Sequence, residues 1–133
     1  MIHKSGHCLC GKIQYQVTGD PKWTALCHCE SCRRACSAPI VAWMGFDPKD
    51  VVWSGKRTFY KSSDIATRGF CNTCGTQMSF ESTRWPSEIH LYAISLDDPH
   101  RYEPQLHCHY AERLDWLNTV DALPKYEVAV EID

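Results

Sequence analysis

The chain has 133 residues, 44% of them hydrophobic and 23% charged, the proportions of one soluble globular domain with its own core. A formal charge of −2 provides no basic field to gather nucleic acid or an anionic membrane, and no apolar run approaches the roughly 18 residues of a membrane span. Met1-Ile2-His3-Lys4-Ser5-Gly6 carries no apolar run of a secretory signal, so a cytoplasmic location is expected, where nine cysteines favour metal over disulfides.

Along the chain, Ile13, Tyr15 and Val17 alternate with Lys12, Gln14 and Gln16, the period of a half-buried strand. Pro39 to Met44 and Val51 to Trp53 are short apolar runs flanking the turn signal Asp47-Pro48-Lys49-Asp50. Arg57 to Tyr60, Ile65 to Phe70 and Gln77 to Glu81 read as further strands, with Met78 and Phe80 on one face. Ile89 to Leu96 is the longest apolar stretch, expected as a central strand closed by Asp97-Asp98-Pro99. Only Glu30 to Ala35 and Tyr110 to Leu117 have helical character, and the tail Tyr126 to Ile132 is either an extra strand or a loose end. Short strands with regular turns and no linker predict a single all-β domain over 1–133.

The cysteines form three groups: Cys8-Leu9-Cys10, Cys27-His28-Cys29-Glu30-Ser31-Cys32 and Cys71-Asn72-Thr73-Cys74-Gly75. Zinc takes four tetrahedral ligands in a structural site. Cys71 and Cys74, followed by Gly75 for a left-handed turn, form half of one; Cys8 and Cys10 are a natural second half, if Leu9 lies in a turn. Such an ion ties the start of the domain to its middle. Cys27, Cys29 and Cys32 then remain, and three ligands with an open position is the pattern of catalytic zinc. Two zinc ions per chain are therefore expected. Two alternatives stay open: Cys27 and Cys29 pair instead with Cys71 and Cys74, or a fourth ligand from His28, Cys36, His107, Cys108 or His109 closes the second site.

The order Gly6-x-Cys8-x-Cys10-Gly11, Cys27-His28-Cys29-x-x-Cys32-Arg33-Arg34 and Arg68-x-Phe70-Cys71-x-x-Cys74-Gly75 resembles the glutathione-dependent formaldehyde-activating enzyme family, also called the centromere-protein-V-like family. The resemblance runs from about Gly6 to Tyr126 and takes in Leu96-Asp97-Asp98-Pro99, His107 and Asp121-Ala122-Leu123-Pro124. It implies a zinc-bearing β-tent, structural zinc on Cys8, Cys10, Cys71 and Cys74, and catalytic zinc on Cys27, Cys29 and Cys32. It also implies joining glutathione to formaldehyde as S-hydroxymethylglutathione, a carbon–sulfur lyase reaction in reverse. The chain departs from the family pattern after Arg34, where Cys36-Ser37 stands in place of a small residue followed by glycine.

A thiol bound to zinc is deprotonated at neutral pH. Three thiolates weaken the ion as a Lewis acid, so activation of a substrate thiol such as glutathione is the favoured chemistry. His28 is a candidate proton shuttle, or simply points to solvent. Arg33 and Arg34 are candidates to receive a substrate carboxylate, or to stabilise the thiolates. His107 is a pocket candidate, and Trp43, Trp53, Trp85 and Trp116 read as core or pocket wall. The competing reading is a zinc-scaffolded binding module without catalysis; the acidic balance argues against a chromatin role.

Overall fold

The computed structural model describes residues 3–129. Among them, ten strands and one short helix make two sheets, in agreement with the all-β expectation. The small sheet has the order β1-β2-β5, with β1 His3–His7, β2 Gln14–Thr18 and β5 Val51–Ser54, all antiparallel. The large sheet runs β10-β3-β4-β9-β8-β7-β6. Its strands are β3 Trp23–Cys27, β4 Val41–Phe46, β6 Thr58–Lys61, β7 Ala66–Phe70, β8 Gln77–Ser82, β9 Ile89–Tyr92 and β10 His107–Cys108. Among the described residues, no helix is long and apolar enough to cross a membrane.

The core follows from the two-residue period of these strands. On β4 and β9, Met44 pairs with Leu91 and Phe46 with Ile89; all four face Tyr15, Val17 and Val51 of the small sheet. The intervening Trp43 and Tyr92 pair on the opposite face and pack with Cys27 and Cys32. Both faces of β9 are therefore covered, as expected of a central strand, and it lacks the alternation that an exposed face would impose. Gly45 lies on that second face because a Cβ there would collide with the Trp23 indole. Gly6 similarly leaves room for the Tyr15 ring.

Three expectations need correction. The strand from Ile89 stops at Tyr92, and Ala93–Ser95 forms a 3-10 turn whose Leu96 bridges to Gly6 of the small sheet. Tyr110 to Leu117 is not a helix: only Tyr110–Glu112 makes a 3-10 turn, because the backbone of 109–111 is taken up by hydrogen bonds to 126–128. Trp116 is neither core nor pocket wall; it is 72% exposed. Of the two readings of the tail, its described residues 126–129 form no strand, the single bridge there joining the preceding Lys125 to His107, and residues 130–132 lie outside the described residues.

The other expected elements lie where periodicity placed them. Helix α1, Glu30–Cys36, follows directly on β3. Its end is set by Ser37, whose φ of 51° is left-handed and whose N–H turns back to the carbonyls of Arg33 and Arg34.

Candidate metal centres and cavity

Two tight turns bring the first four cysteines together. In one, Cys8 N–H donates to the Ile13 carbonyl at 3.0 Å and Gly11 N–H to the Cys8 carbonyl at 3.0 Å. In the other, Cys71 N–H donates to Thr76 at 2.9 Å and Gly75 N–H to Cys71 at 2.8 Å. Gly11 and Gly75 hold φ of 82° and 81°, which a side chain would resist. The turns face each other, with Leu9 N–H bonded to Thr76 Oγ1 at 3.1 Å.

All four sulfurs lie within 4.8 Å of one another, with Cys8–Cys10 at 3.6 Å and Cys10–Cys71 at 3.7 Å. A tetrahedron with Zn–S near 2.3 Å has edges of about 3.8 Å, so the donor set fits zinc. Two of the thiols are eased toward the thiolate: Cys8 Sγ accepts from Ile13 N–H at 3.3 Å, and hydrogen bonds from the Thr76 hydroxyl and backbone hold Cys74 down to about 5, while desolvation and the neighbouring thiols push Cys10 up to about 11. Cys8, Ile13, Cys71 and Met78 pack as a small apolar cluster around this centre.

Cys27, at the end of β3, and Cys29 and Cys32, at the start of α1, are also brought together. Hydrogen bonding to Cys27, then to Cys32, holds the Cys29 thiol far down, while contact with Cys27 and Cys29 pushes Cys32 up. Cys27 also touches Cys108, its register partner on parallel β10. A second donor group within 4.8 Å consists of Cys29, His109 and Glu112. His109 was one of several candidate ligands in the sequence, but Glu112 carried no signal there: the left-handed turn at His109, φ 50°, is what brings it to α1.

These thiols line one end of a cavity of about 780 Å³. Its floor is the second face of the large sheet: Trp23, Trp43, Phe80, His90 and Arg68. Its rim includes Lys22, Arg84, Trp85 and Glu88. Arg68 is buried, stands 4.9 Å over the Phe80 ring, and reaches Cys32 Sγ at 3.7 Å. The sequence placed Arg68 in a motif without giving it a role. Tertiary pairing with Phe80 across β7 and β8 puts it on the cavity face.

The other predicted site residues lie outside the cavity lining. Arg33 donates from Nε to the His28 carbonyl at 3.0 Å and from Nη2 to the Glu112 carbonyl at 3.1 Å. Arg34 pairs with Glu30 at 2.8 Å on the exposed side of α1. His28 is 1% exposed, and its Nε2–H donates to His107 Nδ1 at 2.8 Å. His107, fully buried, donates from Nε2 to Asp121 at 2.9 Å. This tautomer order follows from the carboxylate, which can only accept, and it leaves His28 Nδ1 buried without a partner. Burial, then the electrostatic effect of the neighbouring His107, lowers His28 to about 4. His107 is thus the middle of a chain that runs from buried His28 out to the exposed Asp121. Cys36 packs against the Trp43–Tyr92 cluster, and burial raises its thiol.

A crystal structure of a Rhodobacter sphaeroides protein has the same fold, with a TM-score of 0.59 and 19% identity over 91% of this chain and 98% of that one. An uncharacterized lyase of Schizosaccharomyces pombe is 36% identical over 83 residues, 62% of this chain but 61% of the yeast protein's length. A Halomonas elongata protein, provisionally named as a glutathione-dependent formaldehyde-activating enzyme, is 25% identical over 122 residues, 84% of this chain and 78% of that one. The family model described as glutathione-dependent formaldehyde-activating enzyme matches residues 3–112, spanning both thiol clusters, and the chain belongs to that family.

Proposed function

We propose that the chain is a zinc-dependent enzyme of the carbon–sulfur lyase type, acting on the adduct of a thiol, glutathione or a related one, with formaldehyde or another small carbonyl. The observation that carries this reading is the cavity of about 780 Å³ that opens onto Cys27, Cys29 and Cys32. A structural site has no use for such access; a site that receives a substrate does. Cys8, Cys10, Cys71 and Cys74 hold a first zinc and the other three thiols a second. When bound there, the second ion stabilises a substrate thiol as its thiolate at neutral pH.

The chain's own residues would do the rest. Arg68, 3.7 Å from Cys32, offsets the negative charge that three thiolates and an incoming thiol concentrate at one end of the cavity. Trp23, Trp43 and Phe80 exclude water from the bond being made. Lys22 and Arg84 at the rim are better placed for the carboxylates of a glutathione-like thiol than Arg33 and Arg34, whose guanidinium groups face α1 and its neighbours.

Calorimetric titration of zinc-loaded protein with glutathione and with 2-mercaptoethanol, followed by NMR detection of hydroxymethyl adducts, tests this. Both thiols are expected to bind, and Lys22→Ala with Arg84→Ala to weaken glutathione about tenfold more than the thiol lacking carboxylates. Absence of binding by either thiol, with adducts forming no faster than without protein, would leave a zinc-scaffolded module.

A further inference from the structure

We propose that His109 is the fourth ligand of the second zinc, so that the ion rests in a closed set of three thiolates and one imidazole, with Glu112 as the residue that orients the ring. The inference rests on the reading of Cys27, Cys29 and Cys32 as ligands. It changes what that site is before substrate arrives.

Ligand atoms of Cys29, His109 and Glu112 lie within 4.8 Å of one another, and Cys29 caps α1 between Cys27 at the end of β3 and Cys32 in the first turn of the helix. Cys29 is therefore common to the two groups, and an ion bound to it has His109 in reach. Glu112 is not free to ligate. Its Oε1 accepts the N–H of Glu30 at 2.9 Å, the first residue of a helix whose Cys29 cap supplies no side-chain hydrogen bond, and its Oε2 lies 3.3 Å from His109 Nδ1. With Nδ1 turned toward a carboxylate, Nε2 is the nitrogen left to a metal, and a carboxylate behind the ring is the arrangement that orients zinc-bound histidines generally.

The backbone is arranged to the same end. His109 holds φ 50° and ψ 39°, left-handed values that L side chains adopt sparingly. It is kept there by its N–H to Val128 at 3.2 Å, by Glu112 N–H to its own carbonyl at 3.0 Å, and by Arg33 from α1 to the Glu112 carbonyl at 3.1 Å. The loop is thus pinned to the helix that carries Cys32, and His109 lines the cavity beside Cys29. Cys108, whose thiol touches Cys27, is the competing donor.

X-ray absorption at the zinc edge of the full chain loaded with two zinc ions separates the possibilities. Four sulfurs at one ion and three plus His109 at the other predict seven sulfurs and one imidazole over the pair, the imidazole showing its own outer-shell scattering. His109→Asn, chosen because asparagine tolerates the left-handed backbone, should abolish the imidazole signal while leaving the circular dichroism unchanged. Glu112→Gln should keep the signal but release the second zinc to a competing chelator about tenfold to hundredfold more readily. Eight sulfurs and no imidazole would assign the position to Cys108. Seven sulfurs and no imidazole would leave the site open to water. An imidazole signal that survives His109→Asn would point to another histidine, with His28 next in line. Each of these three overturns the role of His109 and spares the thiol site, whereas one zinc per chain after supplementation would overturn both.

Discussion

Ser37 is where a single side chain departs from what the backbone asks of it. It ends α1 at φ 51° and ψ 46°, the conformation that glycine adopts without cost and that costs another residue roughly 1–2 kcal/mol. The sequence already marked this position, since Cys36-Ser37 replaces a small residue and glycine in the family pattern. Ser37→Gly is therefore expected to stabilise the protein by about 0.5 kcal/mol, the relieved strain being partly offset by the greater freedom of glycine in the unfolded chain. Thermal unfolding would register this as a rise of a few degrees at most; a fall would show that the Ser37 side chain contributes something its hydrogen bonds do not reveal. At the same scale, Arg68 and Glu112 were illegible as site residues. Each is an ordinary charged residue in sequence, and only pairing across β7 and β8, or a left-handed turn at His109, carries it to the thiols.

Among the elements, the two cysteine turns differ in what they join. The turns at Cys8–Cys10 and Cys71–Cys74 come from segments 61 residues apart, and an ion shared between them would link the small sheet to the β7–β8 hairpin. Cys27, Cys29 and Cys32 lie within one strand–helix junction that backbone hydrogen bonds already hold. Cys74→Ser should therefore cost several kcal/mol and lower the melting temperature by on the order of 10 °C or more, because structural zinc sites contribute folding energy directly. Cys32→Ser should change it far less while abolishing turnover. Equal losses in the two variants would contradict the division into structural and catalytic centres. The strands themselves were legible where one face is buried, as with Tyr15 and Val17 on β2. They were not where that signal is missing: β1 has the polar sequence HKSGH, β10 has only two residues, and β3 is covered over most of its length, so none of the three alternates.

For the whole molecule, the His28–His107–Asp121 chain, buried at its two imidazoles, predicts the direction of acid sensitivity. His28 sits at about 4 when folded against 6.5 unfolded, so between these values the unfolded chain binds a proton that the native state refuses. Stability is therefore full above about 6.5 and declines as pH falls toward 4, by up to about 1.4 kcal/mol per pH unit for one proton. Asp121, held down to about 2 by its hydrogen bond from His107, contributes stability that is present above its ordinary 3.8 and lost as pH falls through 2. Urea unfolding at saturating zinc from pH 7 to pH 4 would test the first window. His28→Leu should be less stable at pH 7 yet show a flatter dependence, and parallel slopes for the two proteins would place the acid sensitivity elsewhere.

Taken over the chain, sequence alone determined what depends on local spacing and residue chemistry. Thiol pairs two or three residues apart, each followed by a glycine, demand tight turns and a soft divalent ion, so the Cys8, Cys10, Cys71 and Cys74 cluster was readable before any fold existed. The period of two likewise announced an all-β domain. Only the tertiary structure decided which side chains share the space around the second thiol cluster. Segments remote in sequence deliver Trp23, Trp43, Phe80 and Arg68 to one sheet face, and a loop pinned to α1 delivers His109 and Glu112. Strand order and register set those meetings, and they arise from the burial of Met44, Phe46, Ile89 and Leu91 on the opposite face rather than from any motif near the site.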